Sequence, residues 1–128
     1  MIELIFTETL PNLWAAAVAS GVIHGLAATY LLWLFYLAVM NLKRARDNGT
    51  LSKVALFLGS PILIVGYLLD WFVNVTVMTI VFLELPQEKM VTHRLRRHVR
   101  HGSGYRKKLA WFICHHLLDT FDPSGKHC

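Results

Sequence analysis

One carboxylate, Asp70, stands alone in Val54–Leu83, a stretch of 30 residues with no other charge. A carboxylate at the centre of a membrane span costs about 2.5–3.5 kcal/mol, so it is protonated, paired or turned to water. Tyr67 and Asn74 lie about one turn before and after it and share its face. His24 holds the matching central position in an earlier stretch, Pro11–Asn41, which carries no Asp, Glu, Lys or Arg. Laying the two stretches antiparallel, centre on centre, brings His24 within a few Å of rise of Asp70. A polar contact joining His24, Asp70 and Asn74 is therefore expected. Its favoured role is a clasp that fixes helix pairing; the sharper alternative is a proton relay.

A second set of reactive groups lies in the last third of the chain. Six of the seven histidines are there: His93, His98, His101, His115, His116 and His127. So are both cysteines, Cys114 and Cys128. Thiolate and imidazole bind zinc, and a closed structural site takes four ligands. Cys114, His115, His127 and Cys128 are the candidate set. Their spacing opposes it, because neither half is Cys-x-x-Cys or His-x-x-x-His, and adjacent helical residues point about 100° apart. No cofactor is expected, with zinc as the alternative. Two isolated cysteines make no disulfide framework, and they are compatible with reduced thiols in cytosol. His115, His116 and Asp119 accompany no nucleophile motif, phosphate loop or glutamate pair, so no enzymatic activity is expected.

The elements that must carry these groups follow from hydropathy. The 128 residues are 55% apolar with a mean hydropathy of +0.44, and the apolar residues concentrate in the two stretches above. About 20 such residues suffice to cross a bilayer. The expected fold is an all-α membrane protein: an antiparallel two-helix transmembrane hairpin with a basic C-terminal tail of one or two short interfacial helices. The divisions are an acidic leader (1–12), transmembrane helix 1 (13–42), a basic linker (43–53), transmembrane helix 2 (54–85) and the His- and Cys-bearing tail (86–128). Ala17, Gly21 and Gly25 recur every four residues, a small-residue face on which helices pack closely in lipid. Pro61 should kink the second helix or mark its regular start. In the tail, Val91–His101 is a basic helix and Tyr105–Phe121 an amphipathic one, the type that lies at a membrane interface.

Net charge is +5, and all 13 Lys and Arg follow residue 42. Arg94, Arg96, Arg97, Arg100, Arg106, Lys107 and Lys108 are the candidates for anionic lipid headgroups or a partner protein, each worth about 1 kcal/mol near the surface. Nucleic acid is a less favoured partner; a second copy or a second membrane protein is expected. Nine basic residues in the tail against four in the linker place the tail in the cytoplasm. The acidic leader ahead of helix 1, with Lys43-Arg44-Ala45-Arg46 after it, argues the reverse.

Gly66-Tyr-Leu-Leu-Asp70, Asn74-Val-Thr76, Phe82-Leu-Glu-Leu-Pro86 and the ending Phe121-Asp-Pro-Ser-Gly-Lys-His-Cys128 resemble small uncharacterised membrane proteins of tailed bacteriophages and prophages. The resemblance covers about half the chain and departs at Asp119-Thr120-Phe121, where Asp-Pro-Phe would be expected. It implies a multi-pass protein of the bacterial inner membrane. The expected function is a non-enzymatic accessory protein that modifies the host envelope or excludes a second phage. The alternatives are a holin-like pore-forming lysis protein and a zinc- or nucleic-acid-binding tail acting during genome entry.

Overall fold

The computed structural model describes Glu3 and residues 9–128; most of the acidic leader lies outside the described residues. The chain is all-helical there, with no strand among the described residues. In order come α1 (Leu10–Asp47), α2 (Lys53–Val75), α3 (Val77–Phe82), α4 (Val91–His101), α5 (Gly104–Phe112) and a π-helical turn at Ile113–Leu118. α1 and the α2–α3 segment are each long and apolar enough to cross a membrane.

Local chemistry sets the ends. Pro11 sits in the first turn of α1, where its missing N–H is not needed. α1 outruns the expected 13–42 and stops at a turn in which Gly49 takes φ +70°, a conformation glycine adopts without strain. The Ser52 side chain accepts the Ala55 N–H at 3.1 Å and caps α2. Pro61 neither starts nor ends this helix. Having no N–H, it leaves the Phe57 carbonyl unbonded, and the Ser60 hydroxyl donates to that carbonyl at 2.8 Å. The interruption falls at Thr76 instead, whose hydroxyl bonds the Phe72 carbonyl at 2.7 Å. The second apolar stretch is therefore interrupted at Thr76 within one candidate span, Lys53–Phe82.

α1 and α2 run antiparallel. A Cβ added at Gly59 would meet Leu42, one at Gly66 would meet Phe35, and one at Gly25 would meet Val77. These pairs put Asp70 level with about Leu31, seven residues and roughly 10 Å of rise from His24. The centre-on-centre register is thus corrected: α1 continues past its uncharged stretch, so its midpoint is not the level of α2's.

The tail is no separate interfacial layer. It folds back along one face of the α1–α2 pair. α4 starts beside Asp70 and ends where His98 stacks on Phe82, with ring centroids 4.7 Å apart. α5 and the π-helical turn run back the other way, until Phe121 meets Trp33 edge-on at 5.4 Å. Val73, Met78, Phe82, Val91, Leu95, Ala110 and Cys114 form the core between these layers. On α2 most apolar residues are exposed, Phe57, Leu58, Ile64, Leu68, Trp71 and Phe72 among them, while Asp70, Val73 and Asn74 are buried under the tail. At 100° per residue these lie opposite the buried three, and Leu56, Leu63 and Tyr67 are exposed on the buried side as well. α1 packs Trp33 and Tyr36 against the tail, leaves Tyr30, Leu31 and Leu34 exposed, and is exposed on every side from Leu10 to His24. The molecule is two-faced: apolar helices on one side, a basic tail on the other.

Candidate functional site

The final residues converge on one imidazole. Cys114 and Cys128 are joined by a disulfide, their Cα atoms 5.8 Å apart. Asp119 Oδ1 accepts the backbone N–H of His127 at 2.6 Å and of Cys128 at 3.2 Å. Arg96 donates to the His127 and Cys128 carbonyls at 3.2 and 3.1 Å. With its backbone fixed, His127 places Nδ1 2.9 Å from Asp122 Oδ2 and Nε2 3.2 Å from the Thr92 hydroxyl. Tyr36 meets the same ring edge-on at 4.9 Å, and its own hydroxyl donates to the Leu118 carbonyl.

Asp122 organises this end. Its Oδ1 accepts from Lys43 Nζ at 2.7 Å and from the Ser124 N–H and hydroxyl at 2.8 and 2.7 Å. Burial alone would raise its carboxyl; the bonds from Lys43, His127 and Ser124 outweigh burial and hold the group well below the usual carboxylate range. The Asp122 bond favours a proton on His127 Nδ1, leaving Nε2 to accept from Thr92.

Thr92 stands in a wall between two cavities. The larger, about 370 Å³, lies between α1, α2, α4 and the π-helical turn and is lined mainly by apolar and aromatic side chains, among them Leu26, Tyr30, Trp33, Met78, Leu95 and Leu117. The smaller, about 250 Å³, includes Phe35, Val39, Leu63, Tyr67 and His127. Leu32, Tyr36, Asp70 and Thr92 line both. Asp70 is 8% exposed and its Oδ2 accepts the Val91 N–H at 3.2 Å. Asn74 donates to the Glu88 carbonyl one turn further along.

No family model matches the chain, and comparison with curated proteins and with solved structures returns no match. The geometry alone therefore assigns roles to the residues singled out in the sequence.

The His24–Asp70–Asn74 contact is not formed. His24 is exposed and bonds the Ser20 carbonyl of its own helix at 2.6 Å, whereas Asp70 and Asn74 tie the tail to α2. Of the small-residue face, Gly25 faces Val77, while Ala17 is exposed and a Cβ at Gly21 would meet nothing within 4 Å. The proposed zinc set is corrected as well. Cys114 and Cys128 are bonded to each other and offer no thiolate, His127 is held by Asp122 and Thr92, and His115 pairs with Asp119 at 2.9 Å. No His, Cys, Asp and Glu group suited to a metal occurs among the described residues.

Most of the arginines expected at lipid headgroups are used internally. Arg97 pairs with Glu84 and Glu88, Arg106 donates to the Leu83 carbonyl at 3.0 Å, and Arg94 is completely buried with its guanidinium 3.9 Å from Glu84. His98 Nε2 lies 2.8 Å from Glu84 Oε1. Burial works against the Glu84 charge, yet Arg97 and His98 lower its carboxyl overall. Burial lowers the Arg94 guanidinium, with Glu84 and Glu88 opposing. Arg100, Lys107 and Lys108 remain exposed. Sequence reasoning missed Glu84, Thr92 and Asp122 as anchors. One signal was present: Asp119, Asp122, His127 and Cys128 crowd into ten residues that otherwise read as a turn.

Proposed function

We propose that the protein is a membrane-embedded accessory protein of phage or prophage origin that beds its α1–α2 face in one leaflet and presents its disulfide-closed tail to the periplasm. The observation that carries this reading is the extensive exposed apolar surface of both long helices. So large an apolar surface is covered by lipid or protein. The resemblance of Gly66 and the residues after it to phage membrane proteins supports the source and a role at the host envelope.

The position of the basic tail favours helices lying in the plane of the membrane. The uncharged run of α1, 31 residues, is roughly 46 Å long at 1.5 Å per residue, against a hydrocarbon core of about 30 Å. The interfacial regions bring the bilayer to about 40–45 Å, so this length also fits a crossing with modest tilt. A crossing would, however, carry α4, which runs beside Asp70 and Phe82, to the depth of the hydrocarbon with Arg96, Arg97 and Arg100. An in-plane pair puts that basic layer in water and the apolar surface among acyl chains. The disulfide supports the periplasmic side, because disulfides persist in oxidising compartments and are rare in cytosol. This reverses the orientation expected from counting basic residues.

Two single-cysteine probes decide the arrangement, with the native pair left oxidised: Asn48→Cys in the linker and Lys126→Cys in the tail, both at exposed positions. An impermeant maleimide applied to intact spheroplasts should label both. Protection of Asn48→Cys with labelling of Lys126→Cys would establish a transmembrane hairpin. Protection of Lys126→Cys would return the tail to the cytoplasm.

A further inference from the structure

The carboxylate shared by the two cavities has little to satisfy it. Among the described residues, the Val91 N–H is the one hydrogen-bond donor to Asp70, while a carboxylate offers about four acceptor positions. No Lys or Arg lines either cavity. A carboxylate more than nine-tenths buried and facing apolar space is costly to ionise, and a counter-ion that joins it favours the charged form. Aromatic rings surround the same space: Tyr30, Trp33 and Tyr36 on one side, Phe35 and Tyr67 on the other. A carboxylate beside aromatic side chains is the chemistry that holds an organic cation, by a charge-assisted hydrogen bond and by cation–π attraction where a ring face meets it.

We propose that the cleft between α1, α2 and the docked tail binds a small lipophilic ammonium, with Asp70 as its counter-ion. The larger cavity, about 370 Å³, falls in the range of ligand pockets and takes about a dozen heavy atoms at roughly 30 Å³ each. The ligand is thus a compact apolar body with one ammonium head. The Thr92–His127–Asp122 series has the order of a hydroxyl–imidazole–carboxylate relay, which elsewhere drives acyl transfer. Acyl transfer would build an oxyanion beside the Asp70 carboxylate, the wrong sign of field for it and the right one for a cation. The relay instead fixes the Thr92 hydroxyl in the wall of the site. This inference holds whichever way the protein faces, and its test does not depend on membrane topology.

The test uses three probes of nearly equal shape on full-length, ¹⁵N-labelled protein in micelles: 4-phenylbutylammonium, 4-phenylbutanol and 4-phenylbutanoate. The reporters are the Val91 amide, bonded to Asp70, and the Trp33 indole in the cavity wall. The ammonium should shift both signals and bind at least about tenfold more tightly than the alcohol, with the carboxylate weaker than either. Asp70→Asn should bring the ammonium down to the level of the alcohol. Equal affinity of all three probes for the wild-type protein would overturn the proposal, and this comparison stands even if the variant does not fold. An ammonium preference that survives in folded Asp70→Asn would overturn it too.

Discussion

Two acidic residues tie the tail down at opposite ends of the molecule, and they do it in different ways. Asp122 is matched to its partners: one ammonium, one imidazole, and the N–H and hydroxyl of Ser124 occupy its two oxygens. Glu84 is oversubscribed. Arg94, Arg97, His98 and Arg106 all approach it within 4.0 Å, with Glu88 as the second carboxylate. The surplus shows in Arg94, whose Nε and both terminal nitrogens are buried without a hydrogen-bond partner. A matched clamp gains from each partner it holds. An overloaded one is costly to disturb on its acidic side and tolerant of loss on its basic side.

That contrast gives the largest expected effects, and they have opposite signs. Glu84→Gln should destabilise the fold by about 3 kcal/mol, because it strands the buried Arg94 charge. Arg94→Met removes the unsatisfied guanidinium and keeps an apolar side chain in its place. Replacements of that kind are neutral or stabilising by about 1–4 kcal/mol. Denaturant unfolding of both variants in the same micelle checks the pair. A large loss from Arg94→Met would show that the overload is only apparent and that the two clamps are alike.

The helical class and two long apolar helices were legible in the sequence, because runs of 30 residues with at most one charge allow little else. The docking of the tail was not. Val91–His101 carries Val91, Leu95 and Val99 as a thin apolar stripe among bases, a pattern that also suits an interfacial helix. What chooses docking is tertiary: Asp70 caps the Val91 N–H, Phe82 offers a ring for His98, and Glu84 collects the arginines. None of these partners lies within one turn of the group it meets, so no local periodicity reveals them. The cysteines failed for a similar reason. A separation of 14 residues fits no repeated spacing, and only the reversal at Asp122–Gly125 brings Cys128 back to Cys114. Asp70 stood out for its isolation, but it meets Val91 and not His24, because the register of α1 and α2 follows Gly59 against Leu42 and Gly66 against Phe35.

Acid separates the two clamps further. Both carboxyls are held below their ordinary values of 3.8 for Asp122 and 4.5 for Glu84. A carboxyl lowered by folding contributes stability that is complete above its unfolded value and is lost as pH falls toward the folded one. The Asp122 and Glu84 contributions should therefore be complete from neutrality to about pH 5 and fall below it. Asp122→Asn should cost about 2 kcal/mol at neutral pH, the scale of hydrogen bonds to a charged group. The same variant should flatten the part of the acid limb below about pH 4, leaving the Glu84 part in place. Unfolding midpoints of wild type and variant between pH 7 and 2 test this. Parallel curves across the whole range would mean that Asp122 does not carry its charge into the fold.

The smallest effect lies at the rim of the matched clamp. Lys43 is 30% exposed at its side chain while Asp122 is 3% exposed, so water screens the cation but barely reaches the anion. Lys43→Met should then cost less than about 1 kcal/mol, as exposed partners do. Its sensitivity to salt is more telling than its size. Raising ionic strength from 0.1 to 1 M shortens the screening length from about 10 to 3 Å and should erase most of the difference between Lys43→Met and wild type. The same salt should leave the penalty of Glu84→Gln nearly unchanged, because Arg94 lies beyond the reach of solvent ions. If both penalties shrink together, the Glu84 cluster is wetter than its burial implies, and the distinction between a matched rim clamp and an overloaded interior one fails.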